Sequence, residues 1–143
     1  EKASVIIRFL EVRQAERGII FCRTKAGTQN LTKLLQEEGF SIGALEGDMQ
    51  QKERDKVMRA FKNESLQYLI STDVSARGID VSGLAFVIHH QLPDQLDYYT
   101  HRSGRTARAG KTGVSIALIL SNELQRIYEI EKDLNIKFTE TTV

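Results

Sequence analysis

The chain has 143 residues, of which 41% are hydrophobic and 27% are charged, a size and composition typical of one globular domain with its own core. Its 20 Lys and Arg residues nearly balance its 19 Asp and Glu residues, so the overall charge does not predict a nucleic-acid partner. The longest apolar runs, residues 84–88 and 116–120, are much shorter than the roughly 20 residues that cross a bilayer, and we expect no membrane partner.

The spacing of apolar residues predicts helices that alternate with short strands. Strands without strict apolar and polar alternation are buried on both faces, and parallel neighbours need crossover helices. The sequence therefore predicts a doubly wound α/β domain, with a mainly parallel sheet covered by helices on both faces. In chain order, the predicted elements are a helix near residues 5–10, a strand over 18–22, a helix near 31–35, a strand over 42–45, a helix near 57–61, strands over 68–70 and 85–88, a helix near 96–99, a strand over 114–120 and a helix near 124–134.

Three local patterns refine these elements. Asp48 is followed three residues later by Gln51, an aspartate-led capping box that would open the helix near residues 57–61. Ser121 is the expected N-cap of the last helix. The tail, residues 135–143, is predicted to be an edge strand or a frayed end.

The single cysteine and the adjacent histidines do not predict a metal site. Cys22 ends a buried strand, where we expect a small buried hydrophobe, and as the only cysteine it excludes an internal disulfide. His89 and His90 would face opposite sides of a strand and could not share a metal ion. A free cysteine favours a reducing compartment, so we expect a cytoplasmic protein. Because the chain starts without Met or a signal peptide, we expect a monomeric fragment of a longer protein.

Polar side chains follow three of the predicted strands. They lie in residues 22–25, 46–48 and 71–80, each at the point where a strand ends. In open α/β sheets, ligands bind outside the carboxyl ends of the strands, so we expect the functional site in these loops. Residues 71–80, STDVSARGID, suit the sugar and phosphate of a nucleotide, although a polar loop that caps the next element has a similar composition.

The most unusual segment is residues 101–111, which hold four permanent cations, one histidine and no acid. Arginine grips phosphate oxygens with a planar fork of donors, so the segment indicates an anion site, with a solvated basic helix face as the alternative. It is not a phosphate-binding P-loop, because five residues separate Gly104 from Gly110 where that motif has four. The segment also precedes a strand instead of opening a helix.

Four segments together resemble the motifs of DEAD-box RNA helicases. HRSGRTARAG at residues 101–110 resembles motif VI, and STDVSARGID at 71–80 resembles motif V. GIIFCRT at 18–24 is similar to motif IV, and GDMQQKER at 47–54 is similar to the family's G-D-x-x-Q-x-x-R segment. The resemblance implies that residues 1–143 form the second, C-terminal RecA-like domain of such a helicase. The first domain, which carries the P-loop and the acidic box, would belong to another part of the parent protein.

The resemblance also implies a role for each motif residue. The cofactor would be ATP with Mg²⁺, held mainly by the N-terminal domain, and the partners would be RNA and that domain. We expect the chain alone to hydrolyse no ATP. The alternatives are a DNA translocase of the same superfamily and a RecA-like module without catalysis. The implied residues are Arg105 and Arg108 as arginine fingers, Gly78 and Asp80 beside the ATP ribose, His101 at the domain interface, and Arg23, Thr24, Gly47, Gln51, Arg54 and Thr72 along the RNA backbone.

Overall fold

Five parallel strands form one sheet in the computed structural model, which describes residues 2–76, 84–92, 114–119 and 121–139. The strands follow the order β2-β3-β1-β4-β5, and every neighbouring pair is parallel. The strands are β1 (Gly18–Phe21), β2 (Ile42–Leu45), β3 (Tyr68–Ser71), β4 (Phe86–His89) and β5 (Val114–Ala117). The helices are α1 (Lys2–Val12), α2 (Lys25–Glu37), α3 (Gln51–Lys62) and α4 (Leu124–Leu134).

The sheet is covered by helices on both faces. Successive strand residues point to opposite faces, so Ile20 joins the cluster that includes Leu10 of α1 and Leu35 of α2. Ile19, its neighbour, joins the opposite cluster with Phe61 of α3. Most strand residues are buried, as a two-sided core requires. The structure therefore confirms the predicted α/β fold, with three layers and a parallel sheet.

The strand β1 lies at the centre of the sheet, between β3 and β4. Gly18 pairs with Tyr68 on one side and Phe86 on the other. The ring of Phe86 crosses Gly18 so closely that a Cβ there would lie 2.2 Å from a ring carbon. Phe86 also packs edge-on against Phe9, with ring centroids 5.1 Å apart. The centre of the core thus depends on a glycine beneath an aromatic ring.

Some details differ from the sequence predictions. The helix α4 begins at Leu124 after a 3-10 turn over Ser121–Glu123, so Glu123 and not Ser121 occupies the N-cap position. The strand β5 ends at Ala117, earlier than predicted, because the apolar run continues into Ile119. This residue packs against the α4 cluster, which consists of Leu92, Ile127 and Ile130. Residues 136–139 form no strand, and the predicted helix near residues 96–99 lies outside the described residues. None of the helices described is long and apolar enough to cross a membrane.

Candidate nucleic-acid interface

A cleft of about 330 Å³ lies at the carboxyl ends of β1, β2 and β3. This is the edge of the sheet at which the sequence predicts the functional site. Three of the predicted RNA-contacting residues line the cleft together: Arg23 after β1, Gly47 after β2 and Thr72 after β3. Other lining residues are Lys25, Thr28, Leu45, Glu46, Asp73, Val74 and Ser75.

The loop between β1 and α2 is fixed at both of its ends. Thr24 caps α2, since its Oγ1 accepts a hydrogen bond of 3.0 Å from the backbone N–H of Gly27. The hydroxyl of Thr28 donates to the carbonyl oxygen of Thr24 at 2.9 Å. The backbone N–H of Arg23 donates to Oε1 of Gln91 at 3.1 Å. These bonds hold Arg23 and Thr24 on an ordered, exposed turn beside the cleft.

The turn after β3 carries a small hydrogen-bond network. The hydroxyls of Thr72 and Ser75 are 3.0 Å apart, and the N–H of Ser75 donates to Oγ1 of Thr72 at 3.2 Å. Nη1 of Arg54, on α3, donates to the carbonyl oxygen of Ser75 at 2.6 Å. Ser75 is buried, and its bonds to the Thr72 hydroxyl hold that side chain in place. The predicted site residues Arg54 and Thr72 therefore belong to one network, which Ser75 connects.

The beginning of α3 differs from the predicted capping box. The helix starts at Gln51, and Gln50 occupies the N-cap position without a side-chain capping bond. Nε2 of Gln51 donates to Oδ1 of Asp55 at 2.8 Å, one turn along the helix. The carboxylate of Asp48 does not cap the helix: Asp48 lies two residues before the N-cap position, and its carboxylate forms an ion pair with the ammonium of Lys25. The expected role of Asp48 as the N-cap was wrong.

The Lys25–Asp48 ion pair joins the first residue of α2 to the loop after β2. Because β3 lies between β1 and β2 in the sheet, the pair links segments on either side of the β3 end. The hydrogen bond to Asp48 raises the pKa of Lys25, and the same bond lowers the pKa of the Asp48 carboxyl. Both side chains are more than half exposed, so water and salt screen the attraction and it adds little to stability.

Two histidines and the cysteine lie at the neighbouring strand ends. Cys22 is buried, with its Sγ 3.9 Å from Nδ1 of His90. Burial lowers the pKa of His90, and the positive charge of Lys2 lowers it further. His89 is buried as well, and its Nε2 lies 2.8 Å from the hydroxyl of Ser115. The described residues contain no group of three His, Cys, Asp or Glu side chains that could hold a metal ion.

The residues assigned to the ATP site and to the domain interface lie outside the described parts of the chain. These residues are Gly78, Asp80, His101, Arg105 and Arg108. Their roles stay predictions from the resemblance. Lys25, Ser75 and Gln91 were missed as individual site residues. Ser75 lay within the segment that resembles motif V, and Lys25 lay within the polar residues 22–25 after a predicted strand, but no pattern in the sequence shows that Gln91 approaches Arg23.

The comparisons with known proteins agree with this fold. Residues 1–110 match the family described as "Helicase conserved C-terminal domain". The chain is similar to the ATP-dependent RNA helicase CshA of Limosilactobacillus reuteri, with 41% identity over 92% of this chain and 27% of CshA. The Escherichia coli DEAD-box protein SrmB, solved bound to RraA, shares 30% identity with a TM-score of 0.92, over 99% of this chain and 84% of that one.

A third relative carries ligands in its structure. Saccharomyces cerevisiae Dbp5, bound to RNA and ADP BeF3, shares 33% identity with a TM-score of 0.83, over 92% of this chain and 35% of that one. The fold and these matches define a helicase C-terminal domain of the RecA-like class. More closely, the chain belongs to the DEAD-box RNA helicases. It spans about a quarter of the length of CshA.

Proposed function

We propose that this chain is the second RecA-like domain of an ATP-dependent RNA helicase and supplies half of the RNA groove. The observation that carries the proposal is the cleft in which Arg23, Gly47 and Thr72 come together. These residues follow three different strands, as expected of a binding site at the carboxyl edge of a parallel sheet. The DEAD-box membership of the chain and the RNA bound to Dbp5 support RNA as the ligand.

The chemistry of the cleft suits the backbone of RNA better than its bases. A guanidinium at Arg23 can bind phosphate oxygens, and the hydroxyls of Thr24 and Thr72 can bind phosphates or 2′-hydroxyls. Gly47 is exposed and has no side chain, so an RNA strand can approach the main chain there. Gln51 and Arg54, on the first turns of α3, extend this surface. Contacts of this kind position a strand without reading its sequence.

For the nucleotide, we propose that ATP with Mg²⁺ is held mainly by an N-terminal domain of the parent protein. Arg105 and Arg108 would reach its phosphates when the domains close, and Gly78 and Asp80 would lie beside the ribose. His101 would contact the partner domain. Arginine fingers neutralise the charge that spreads over the phosphate oxygens during transfer, an effect worth about 10³ to 10⁵ in rate. ATP hydrolysis would then release both ligands and reopen the groove.

The test uses the full-length protein with Arg105→Ala and Arg108→Ala, and Arg8→Ala on the exposed side of α1 as the control. We expect each finger variant to lose about 10³-fold or more in RNA-stimulated ATP turnover, with ATP affinity roughly kept. The control should match the unmodified protein. Unchanged turnover in both finger variants would overturn the assignment. Stronger stimulation by DNA than by RNA would indicate a DNA translocase, and turnover by the 143-residue chain alone would contradict the two-domain mechanism.

A further inference from the structure

One cation of the cleft is already paired with a carboxylate. Lys25 is one of the residues that line the cleft, whereas Asp48, whose carboxylate pairs with the Lys25 ammonium, is not. The pair spans the end of β3, where Thr72 lies. Glu46 also lines the cleft and adds negative charge near Lys25. The free cleft therefore presents less positive charge to a phosphate than its lysine and arginine side chains provide.

The Lys25–Asp48 pair is exposed enough for Lys25 to exchange the carboxylate for another anion. The Lys25 side chain is 51% exposed and that of Asp48 is 61% exposed. An ion pair this exposed to solvent contributes little net free energy, and breaking it leaves both charges hydrated. A phosphate that enters beside Arg23 can therefore replace the Asp48 carboxylate as the partner of Lys25.

We propose that Lys25 is a further phosphate contact of the RNA groove. In the free domain the Asp48 carboxylate pairs with the Lys25 ammonium, until an RNA phosphate displaces it. This inference rests on the proposed function of the cleft. Asp48 then sets the affinity of the groove: it weakens the retention of RNA, and it keeps a cation of the free domain from binding other anions. Neither residue was among those that the resemblance assigned to RNA.

The exchange has a distinct dependence on salt. A lysine that binds a phosphate of a single strand contributes a slope of about 0.7 to the fall of log K with log salt. Salt also weakens the Lys25–Asp48 pair, so in the unmodified protein the two dependences largely offset each other. In Asp48→Asn only the phosphate contact remains, and its full slope should appear. The effect needs Lys25, so it must vanish when Lys25 is replaced.

The experiment is a double-mutant cycle in the full-length protein. Binding of a labelled single-stranded oligouridine is measured by fluorescence anisotropy between 50 and 200 mM salt, with ADP and beryllium fluoride present. We expect Asp48→Asn to bind about two- to fivefold more tightly at the lowest salt. This gain should shrink by about 2.5-fold across the salt range, which corresponds to a slope steeper by about 0.7. Lys25→Gln with Asp48→Asn should match Lys25→Gln alone.

The control is Asp133→Asn, which neutralises an exposed carboxylate on α4, away from the residues placed along RNA. It changes the net charge by the same amount as Asp48→Asn but leaves Lys25 paired. Equal slopes of log K against log salt for Asp48→Asn and Asp133→Asn would overturn the exchange. Weaker binding of Asp48→Asn would also overturn it, because Asp48 would then be positioning Lys25. If the unmodified protein bound no RNA, the proposed function would fail instead.

Discussion

Arg54 offers the sharpest test of how the site is held together. Its Nη1 donates to the carbonyl oxygen of Ser75 at 2.6 Å in a half-buried setting and so ties α3 to the turn that carries Thr72. A hydrogen bond from a charged donor contributes about 1.5 to 3 kcal/mol. Arg54→Gln shortens the side chain and leaves that carbonyl without this donor. We expect the free energy of unfolding to fall by about 1.5 to 3 kcal/mol, and the melting temperature by about 3 to 12 °C.

The assay is urea unfolding of the 143-residue chain, followed by circular dichroism and repeated with Arg59→Gln as the control. Arg59 is exposed on the same helix, so its replacement should change stability by less than about 0.5 kcal/mol. If Arg54→Gln were as stable as the Arg59 variant, the bond to Ser75 would not hold the turn. A loss of RNA affinity in Arg54→Gln would then have to come from a lost phosphate contact alone.

Two further predictions concern the core and the strand ends. Phe86→Ala removes a fully buried ring that packs on Phe9 and should cost about 3 to 5 kcal/mol of unfolding free energy; an equally costly Phe86→Leu would show that the loss does not come from the cavity. Because burial and Lys2 lower the pKa of His90 in the folded chain, the unfolded chain binds more protons, and stability should fall as the pH drops below about 6.5. Urea unfolding at pH 7.5 and 5.5 measures this loss of stability, which should be smaller in His90→Asn than in the unmodified chain. An identical loss in the two proteins would contradict the role of His90.

The elements of the fold could be predicted because their apolar residues carry the periodicity of the layers. Phe61 lies at helical spacing from Val57 and Met58, and all three pack on one face of the sheet. Where one apolar run continues from a strand into the next segment, the periodicity does not show where the strand ends. The run after Val114 crosses from β5 into Ile119, which belongs to the α4 cluster. The sequence pattern reports burial, and it does not report which neighbour provides it.

The site could be predicted only to the level of its loops. The motif segments at the strand ends indicated Arg23, Gly47 and Thr72, and the structure brings these three to one cleft. The partner of Asp48 could not be predicted. A capping box is a local pattern, whereas the ion pair with Lys25 depends on β3 lying between β1 and β2. Contacts that depend on strand order are invisible to patterns within one segment.

The strand order also affects how the chain matures on the ribosome. Within this domain, the strand β1 is synthesised early, yet both of its neighbours, β3 and β4, are synthesised much later. Until then its backbone donors and acceptors lack sheet partners, and its apolar side chains lack a completed core. Pairings so distant along the chain slow folding. The strand β1 ends at Phe21, yet it can pair on both sides only after the chain has been synthesised as far as residue 89.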